Sequence, residues 1–279
     1  MEQYAFVRDF LKNKKLPYGD WYFNPHLKQH VLLSDGGVYF YDLNYNLSFK
    51  EPKLRYMQSV QFVDEDLCVF VETSSTKVLF YSINTKEIVN RYSLRFSKKQ
   101  NAYMVEVENA FFCRNANTII FHVCYKDEES EKFNKHGIFA YNLDSKTYTK
   151  IIEDISPFAE CVDYKNQFVF INSIRYEKYI YVINEQLDCK SVELKEEIKK
   201  LINHKHLSFD YETGLLVYYD TEEYRDPNKR GWERGCVTAK NIYDGYTYFG
   251  EGKNYLALDF DGNIQPWQPA HRYNEKPQK

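Results

Sequence analysis

Two short histidine pairs carry the side chains best suited to holding a metal. His122 and Cys124 stand two residues apart in TIIFHVCY, which puts both on one face of an extended segment, and His204 and His206 lie close together in NHKH. Imidazole and thiolate are donors that zinc prefers, but neither pair has a second half at ligand spacing. Both pairs read as structural or exposed, and no metal is expected. Asp42-x-Asn44-x-Asn46 and Asp259-x-Asp261-x-Asn263 open like calcium loops. Leu47 and Ile264 then stand where such a loop needs glycine, and Lys53 and Ala270 where it needs its bidentate glutamate. These oxygens are expected to hold turns. G-x-S-x-G, G-x-x-x-x-G-K and G-x-G-x-x-G are all absent, so nucleophile-elbow and nucleotide-dependent chemistry lose their usual support and no cofactor is implied.

Paired carboxylates offer a sharper enzymatic reading. Trp21-Tyr22-Phe23-Asn24-Pro25 is similar to the N-terminal Trp-Asn-Asp-Pro motif of propeller glycosidases of the invertase and arabinanase type. Arg225-Asp226-Pro227 matches their Arg-Asp-Pro motif, and Glu160-Cys161 their Glu-Cys pair. That resemblance implies Asp226 and Glu160 as catalytic carboxylates. It fails in two places: no Asp separates Asn24 from Pro25, and Glu160 precedes the Arg-Asp-Pro segment instead of following it. A glycoside hydrolase is therefore one alternative, a sensor that binds a small molecule in the central channel of a propeller is another, and a non-catalytic protein is the main expectation.

The elements that must position any site are strands. Of 279 residues, 18% are aromatic, with 26 Tyr and 20 Phe, while mean hydropathy is −0.63. So much ring surface with so much polarity suits half-buried β-structure and argues against disorder and membrane spans. Net charge is −3 from 37 basic and 40 acidic residues, so no global field draws nucleic acid or an anionic membrane. MEQYAFVRDFLKNKK lacks the apolar core of a secretory signal, and the expected location is the cytoplasm. Cys68, Cys113, Cys124, Cys161, Cys189 and Cys236 form no C-x-x-C pair and read as reduced, structural thiols.

VYFYDLN, residues 38–44, is a strand ending in a polar turn, and its pattern returns at Tyr41, Tyr81, Tyr141, Ile183, Tyr219 and Leu258. Further apolar runs precede most of these anchors, as in SVQFVDEDLCVFVE and CVDYKNQFVFIN, and KEIVNRYSL and KTYTKII supply fourth strands. Four antiparallel strands at a period of about 40 residues are the blade of a β-propeller. The aromatic-polar turn ending the third strand resembles that of tryptophan-aspartate-repeat propellers, although Tyr, Ile or Leu replaces the Trp and no Gly-His pair opens the repeats. The reading is all-β, a single propeller domain over 1–279 with about six blades across 21–267. A short helix caps it at 1–20, a second helix is inserted at 192–206, and the tail at 268–279 is expected to be flexible.

Inserts within this frame are where binding tends to reside. KDEESEKFNKH, 126–136, interrupts a second and a third strand, and VELKEEIKKLINHKH, 192–206, joins two blades with Leu194, Ile198, Leu201 and Ile202 on one helical face. Strand alternation sends both from one face, with TEEYRDPNKRGWERG, 221–235, on the opposite one if Tyr219 ends a third strand. Trp, Tyr and Arg are favoured interface anchors. The expected partner-binding residues are Lys132, Phe133, Lys199, Tyr224, Arg225 and Trp232, in a bacterial, monomeric protein-binding module such as an immunity protein that neutralises a toxin.

Overall fold

Second and third strands in this chain are apolar on both faces, fourth strands are charged, and that gradient is the logic of the fold. A computed structural model describes residues 17, 19–42, 46–96, 102–127, 134–157, 159–172, 179–202, 206–219 and 255–267. Among them are five four-stranded antiparallel sheets, each in simple up-and-down order, the blades of a β-propeller. Blade 1 is β1 (Asp20–Asn24), β2 (Gln29–Ser34), β3 (Gly37–Tyr41) and β4 (Leu47–Glu51). Blade 2 is β5 (Met57–Phe62), β6 (Leu67–Glu72), β7 (Lys77–Ser82) and β8 (Glu87–Ser93). Blade 3 is β9 (Ala102–Cys113), β10 (Thr118–Asp127), β11 (Lys135–Asn142) and β12 (Tyr148–Glu153). Blade 4 is β13 (Glu160–Tyr164), β14 (Gln167–Asn172), β15 (Tyr179–Ile183) and β16 (Cys189–Glu193). Blade 5 is β17 (His206–Asp210), β18 (Leu215–Tyr219), β19 (Tyr255–Leu258) and β20 (Ile264–Gln265), preceded by a short helix α1 (Glu196–Leu201).

Blades 1 to 4 belong to one compact unit, 18–42 with 46–193. There β1, β5 and β9 run beside one another, so the first strand of each blade is innermost. The middle of β6 and most of β10 are buried, whereas β8 and β16 are largely exposed. Neighbouring blades sandwich the middle strands between them. Val69, Val71, Val78 and Phe80 of blade 2 pack on Ile119, Phe121, Val123 and Phe139 of blade 3. Phe111, Ile120 and Ile138 on the other side of blade 3 pack on Phe168, Phe170 and Ile183 of blade 4. Odd-numbered residues of β10 face blade 2 and even-numbered ones face blade 4, the period of two expected of a strand.

The polar turns after the anchors are held by side chains. Asp42 accepts from the backbone and side-chain nitrogens of Asn46 at 2.8 and 2.9 Å. Asp259 accepts from the nitrogens of Asp261 and Asn263 and from Gln265 Nε2. Protein donors occupy these carboxylates, as the turn reading requires. Glycine is scarce because Lys28, Ser74, Lys86, Asn117, Lys146 and Asn166 take the left-handed turn positions. Gly37 is different: at φ +130 a Cβ there would lie 2.6 Å from the Glu51 carbonyl oxygen.

Three expectations change. Tyr41 and Ile183 end third strands, and Tyr81 and Tyr141 stand next to last in theirs, but Tyr219 ends a second strand, paired with Tyr255 at the start of the third. Tyr219 and Leu258 thus belong to one blade, and the described residues form five blades where the anchors suggested six. An apolar run closed by Tyr-Asp reads alike as a second or a third strand, because both are buried on both faces. Residues 220–254 become a second-to-third connection, and the opposite-face placement of 221–235 falls with the third-strand reading of Tyr219. The helix is shorter than 192–206, since 189–193 pair as β16, and Leu201, expected on its apolar face, is exposed while Leu194, Ile198 and Ile202 are buried. The N-terminal helix and the C-terminal tail lie outside the described residues, apart from Pro17, Gly19 and Asp20 at the end of the first.

Candidate functional site

Within the unit of blades 1 to 4, polar side chains gather on the innermost strands. The Tyr22 hydroxyl of β1 donates to the Gln58 carbonyl of β5 at 3.0 Å. Gln58 Nε2 donates to Glu108 of β9, to its carbonyl at 3.0 Å and its carboxyl Oε2 at 2.9 Å. Gln61 reaches further: its Oε1 accepts from the Phe112 amide at 2.6 Å and its Nε2 donates to the Asp163 carboxyl of β13. Blade 2 is thereby tied to blade 1 through the main-chain carbonyl of Gln58 and to blades 3 and 4 through two glutamine side chains. Amides suit that role, since each both donates and accepts.

Burial shifts the carboxyls of this network. Glu108 is pushed up to about 7, first by desolvation and then by the charge and hydrogen bond of Glu106, against a smaller opposing pull from Gln58. Asp163 rises to about 6 through burial, countered by the Gln61 hydrogen bond and the charge of His26. Desolvation favours the neutral acid, so both groups exchange protons near neutrality. Cys161 on β13 is held well above the ordinary thiol range by burial and by Glu160 and Glu108, and is an unreactive thiol.

Glu108 owes its position to a bulge. β9 shifts register against β10 between His122 and Val123 and again between Cys124 and Tyr125, leaving Glu108 and Val105 as the unpaired extra residues. Between the bulges Glu106 lies opposite Cys124, and Cys124 opposite His136 on β11. Directly opposed residues share a face, so Glu106, Cys124 and His136 form a row across blade 3, with His122 two residues along the same strand. This is the face that Ile120 and Ile138 present to blade 4. The His122 and His136 rings lie 5.5 Å apart. Adjacent strands thus bring Glu106 and His136 to the face of the His122–Cys124 pair, a neighbourhood that sequence spacing does not show.

Expected site residues are distributed as follows. Lys132, Phe133, Tyr224, Arg225, Asp226 and Trp232 lie outside the described residues. Lys199 is on α1, with its ammonium 2.9 Å from Glu196 Oε1. Glu160 opens β13 and is exposed. Asn24, in the segment compared with a glycosidase motif, accepts from the His26 and Leu27 amides at 3.0 and 3.2 Å, which is a turn after β1. Gln58, Gln61, Glu106, Glu108 and Asp163 escape sequence reasoning, because inner-strand polar residues in alternating strands look like solvent-facing ones, and His136 escapes it because only the register of β11 on β10 sets it opposite Cys124. The available signal was polarity recurring in first strands.

No protein-family model matches the chain, and no curated protein matches it in sequence. Solved propellers do match in structure. Hsv2 of Kluyveromyces lactis is 15% identical with a TM-score of 0.44, over 72% of this chain and 57% of that one. The Dos1 propeller is 13% identical with a TM-score of 0.40, over 72% and 52%. The β-propeller domain of Cps50 (Swd1) from Myceliophteria thermophila is 11% identical with a TM-score of 0.43, over 73% and 81%. The chain spans less than two thirds of the Hsv2 and Dos1 chains. The likeness is one of fold.

Proposed function

We propose that this single-domain propeller is a non-catalytic protein-binding module. The observation that carries the reading is the free end of blade 3. β9 and β10 are the longest strands described, and Tyr103 and Val105 at the start of β9 are 59% and 39% exposed. Tyr103 pairs with Lys126, just before the connection that holds Lys132 and Phe133. An exposed ring and a branched aliphatic beside a charged insert supply the apolar centre and polar rim of an interface. In blade 5 the second-to-third connection, 220–254, carries Tyr224, Arg225 and Trp232. Within this class a toxin-neutralising inhibitor of the immunity type is the narrower reading.

The test is capture of a partner from the native host, followed by titration calorimetry with that partner purified. Tyr103→Ala and Phe133→Ala should each weaken it by about 1–2 kcal/mol or more. Affinity unchanged in both variants would remove this face from the interface. The enzyme alternative rests on Asp226 and Glu160 and predicts glycoside hydrolysis that is abolished in Asp226→Asn and Glu160→Gln.

A further inference from the structure

His122 is a buried histidine with nothing to bond to. It is 0% exposed, and neither Nδ1 nor Nε2 has a hydrogen-bond partner. Nδ1 of the neighbouring His136 is likewise buried and without one. Three ring nitrogens are therefore orphaned between two imidazoles, where an unsatisfied buried polar atom costs about 1–3 kcal/mol. Leu or Phe in place of His122 would avoid that cost on a face whose other buried residues are largely apolar.

We propose that His122 and His136, joined by Cys124 and Glu106, bind a divalent transition-metal ion of the zinc type. Two imidazoles bound to one tetrahedral ion at about 2.0–2.1 Å per bond place their ring centres about 5 Å apart. The observed 5.5 Å is close to that separation. Cys124 and Glu106 share the cross-strand row with His136. Two imidazoles, a thiolate and a carboxylate are a zinc-type donor set and unsuited to magnesium or calcium. One thiolate and one carboxylate also neutralise a dication, which matters in a buried site. Among the described residues no three of these groups enclose an ion as they stand. Binding therefore closes these side chains on the ion, and the thiol gives up its proton as it binds, the usual coupling of binding to deprotonation. The site lies within blade 3 and is independent of the protein-binding reading.

The experiment uses the full chain, stripped with a chelator and titrated with Co²⁺ as a spectroscopic probe and with Zn²⁺ against a chromophoric chelator. One equivalent of Co²⁺ should give the intense visible bands of a four-coordinate ion and a near-ultraviolet thiolate-to-cobalt band. Cys124→Ser should lose the thiolate band. His136→Gln, at a half-buried position where folding is readily kept, should weaken Zn²⁺ about tenfold or more. Zn²⁺ should raise the wild-type melting temperature and leave that of His136→Gln unmoved. Equal affinity and equal melting shifts in wild type and His136→Gln would overturn the site and leave an internal water as the partner of the two rings. A thiolate band retained in Cys124→Ser would overturn the role of that thiol.

Discussion

Single atoms decide several properties of this protein. Gly37 is required because a Cβ would meet the Glu51 carbonyl oxygen at 2.6 Å with φ at +130. Gly37→Ala is expected to lower stability by about 1–3 kcal/mol, read from urea unfolding. Glu108 makes a pH prediction whose sign runs opposite to that of a salt-bridged carboxylate. In the folded chain it keeps its proton up to about 7, whereas an unfolded glutamate releases it near ~4.3. Between those values the folded state binds more protons, so the contribution of this group to stability declines as pH rises through the interval. Asp163, held at about 6, adds a decline of the same sign over a narrower range. Buried His122 and half-buried His136, whose pKa values are lowered by desolvation, contribute the opposite sign below ~6.5, so the test is a difference: Glu108→Gln, uncharged throughout, should make the change in urea midpoint from pH 5 to pH 8 less negative than in wild type. An unchanged slope in the variant would assign the dependence elsewhere.

At the level of elements, exposure sorts the helix residues that sequence periodicity grouped together. Ile198 and Ile202 are buried while Leu201 is 52% exposed. Ile198→Ala should cost about 2–4 kcal/mol, whereas Leu201→Ala should stay within about 0.5 kcal/mol of wild type; guanidinium unfolding of both separates them. The strand ladders show the same sorting by position. First strands alternate, middle strands are buried on both faces, and last strands are polar, so a residue's character reports its distance from the innermost strand. Blade 3 departs from regularity through the two bulges of β9, which turn Glu106 and Glu108 into the packed face and leave Val105 exposed at its free end.

On the scale of the molecule, the blade count turns on residues 220–254. Tyr219 and Tyr255 are directly opposed across β18 and β19, and opposed strands can be joined by a two-residue turn. Replacing 221–253 with a short Asn-Gly hairpin turn should therefore leave far-ultraviolet dichroism intact. Closing the shorter loop should raise stability by about 1–2 kcal/mol. If Tyr224, Arg225 and Trp232 contact the partner, the same variant should lose affinity with no fall in melting temperature. A variant that unfolds would show that 220–254 carries strands of its own and would reopen the count.

The repeat, the antiparallel strand grammar, the polar turns and the scarcity of glycine follow from the sequence, because hydrophobic periodicity and side-chain-held turns are local. Five of the six anchors, all but Tyr219, mark the ends of third strands, and the turn reading of Asp42 and Asp259 holds for the same reason. Blade number was not legible, since second and third strands are equally buried and only their pairing tells them apart. Nor was the polar cluster. Glu106, Cys124 and His136 become neighbours only when β9, β10 and β11 fix their register, and Gln61 meets Asp163 only when blades 2 and 4 approach. The sequence alone determined which segments are strands; tertiary structure decided which residues share a face, because cross-strand register and blade packing depend on contacts between residues far apart along the chain.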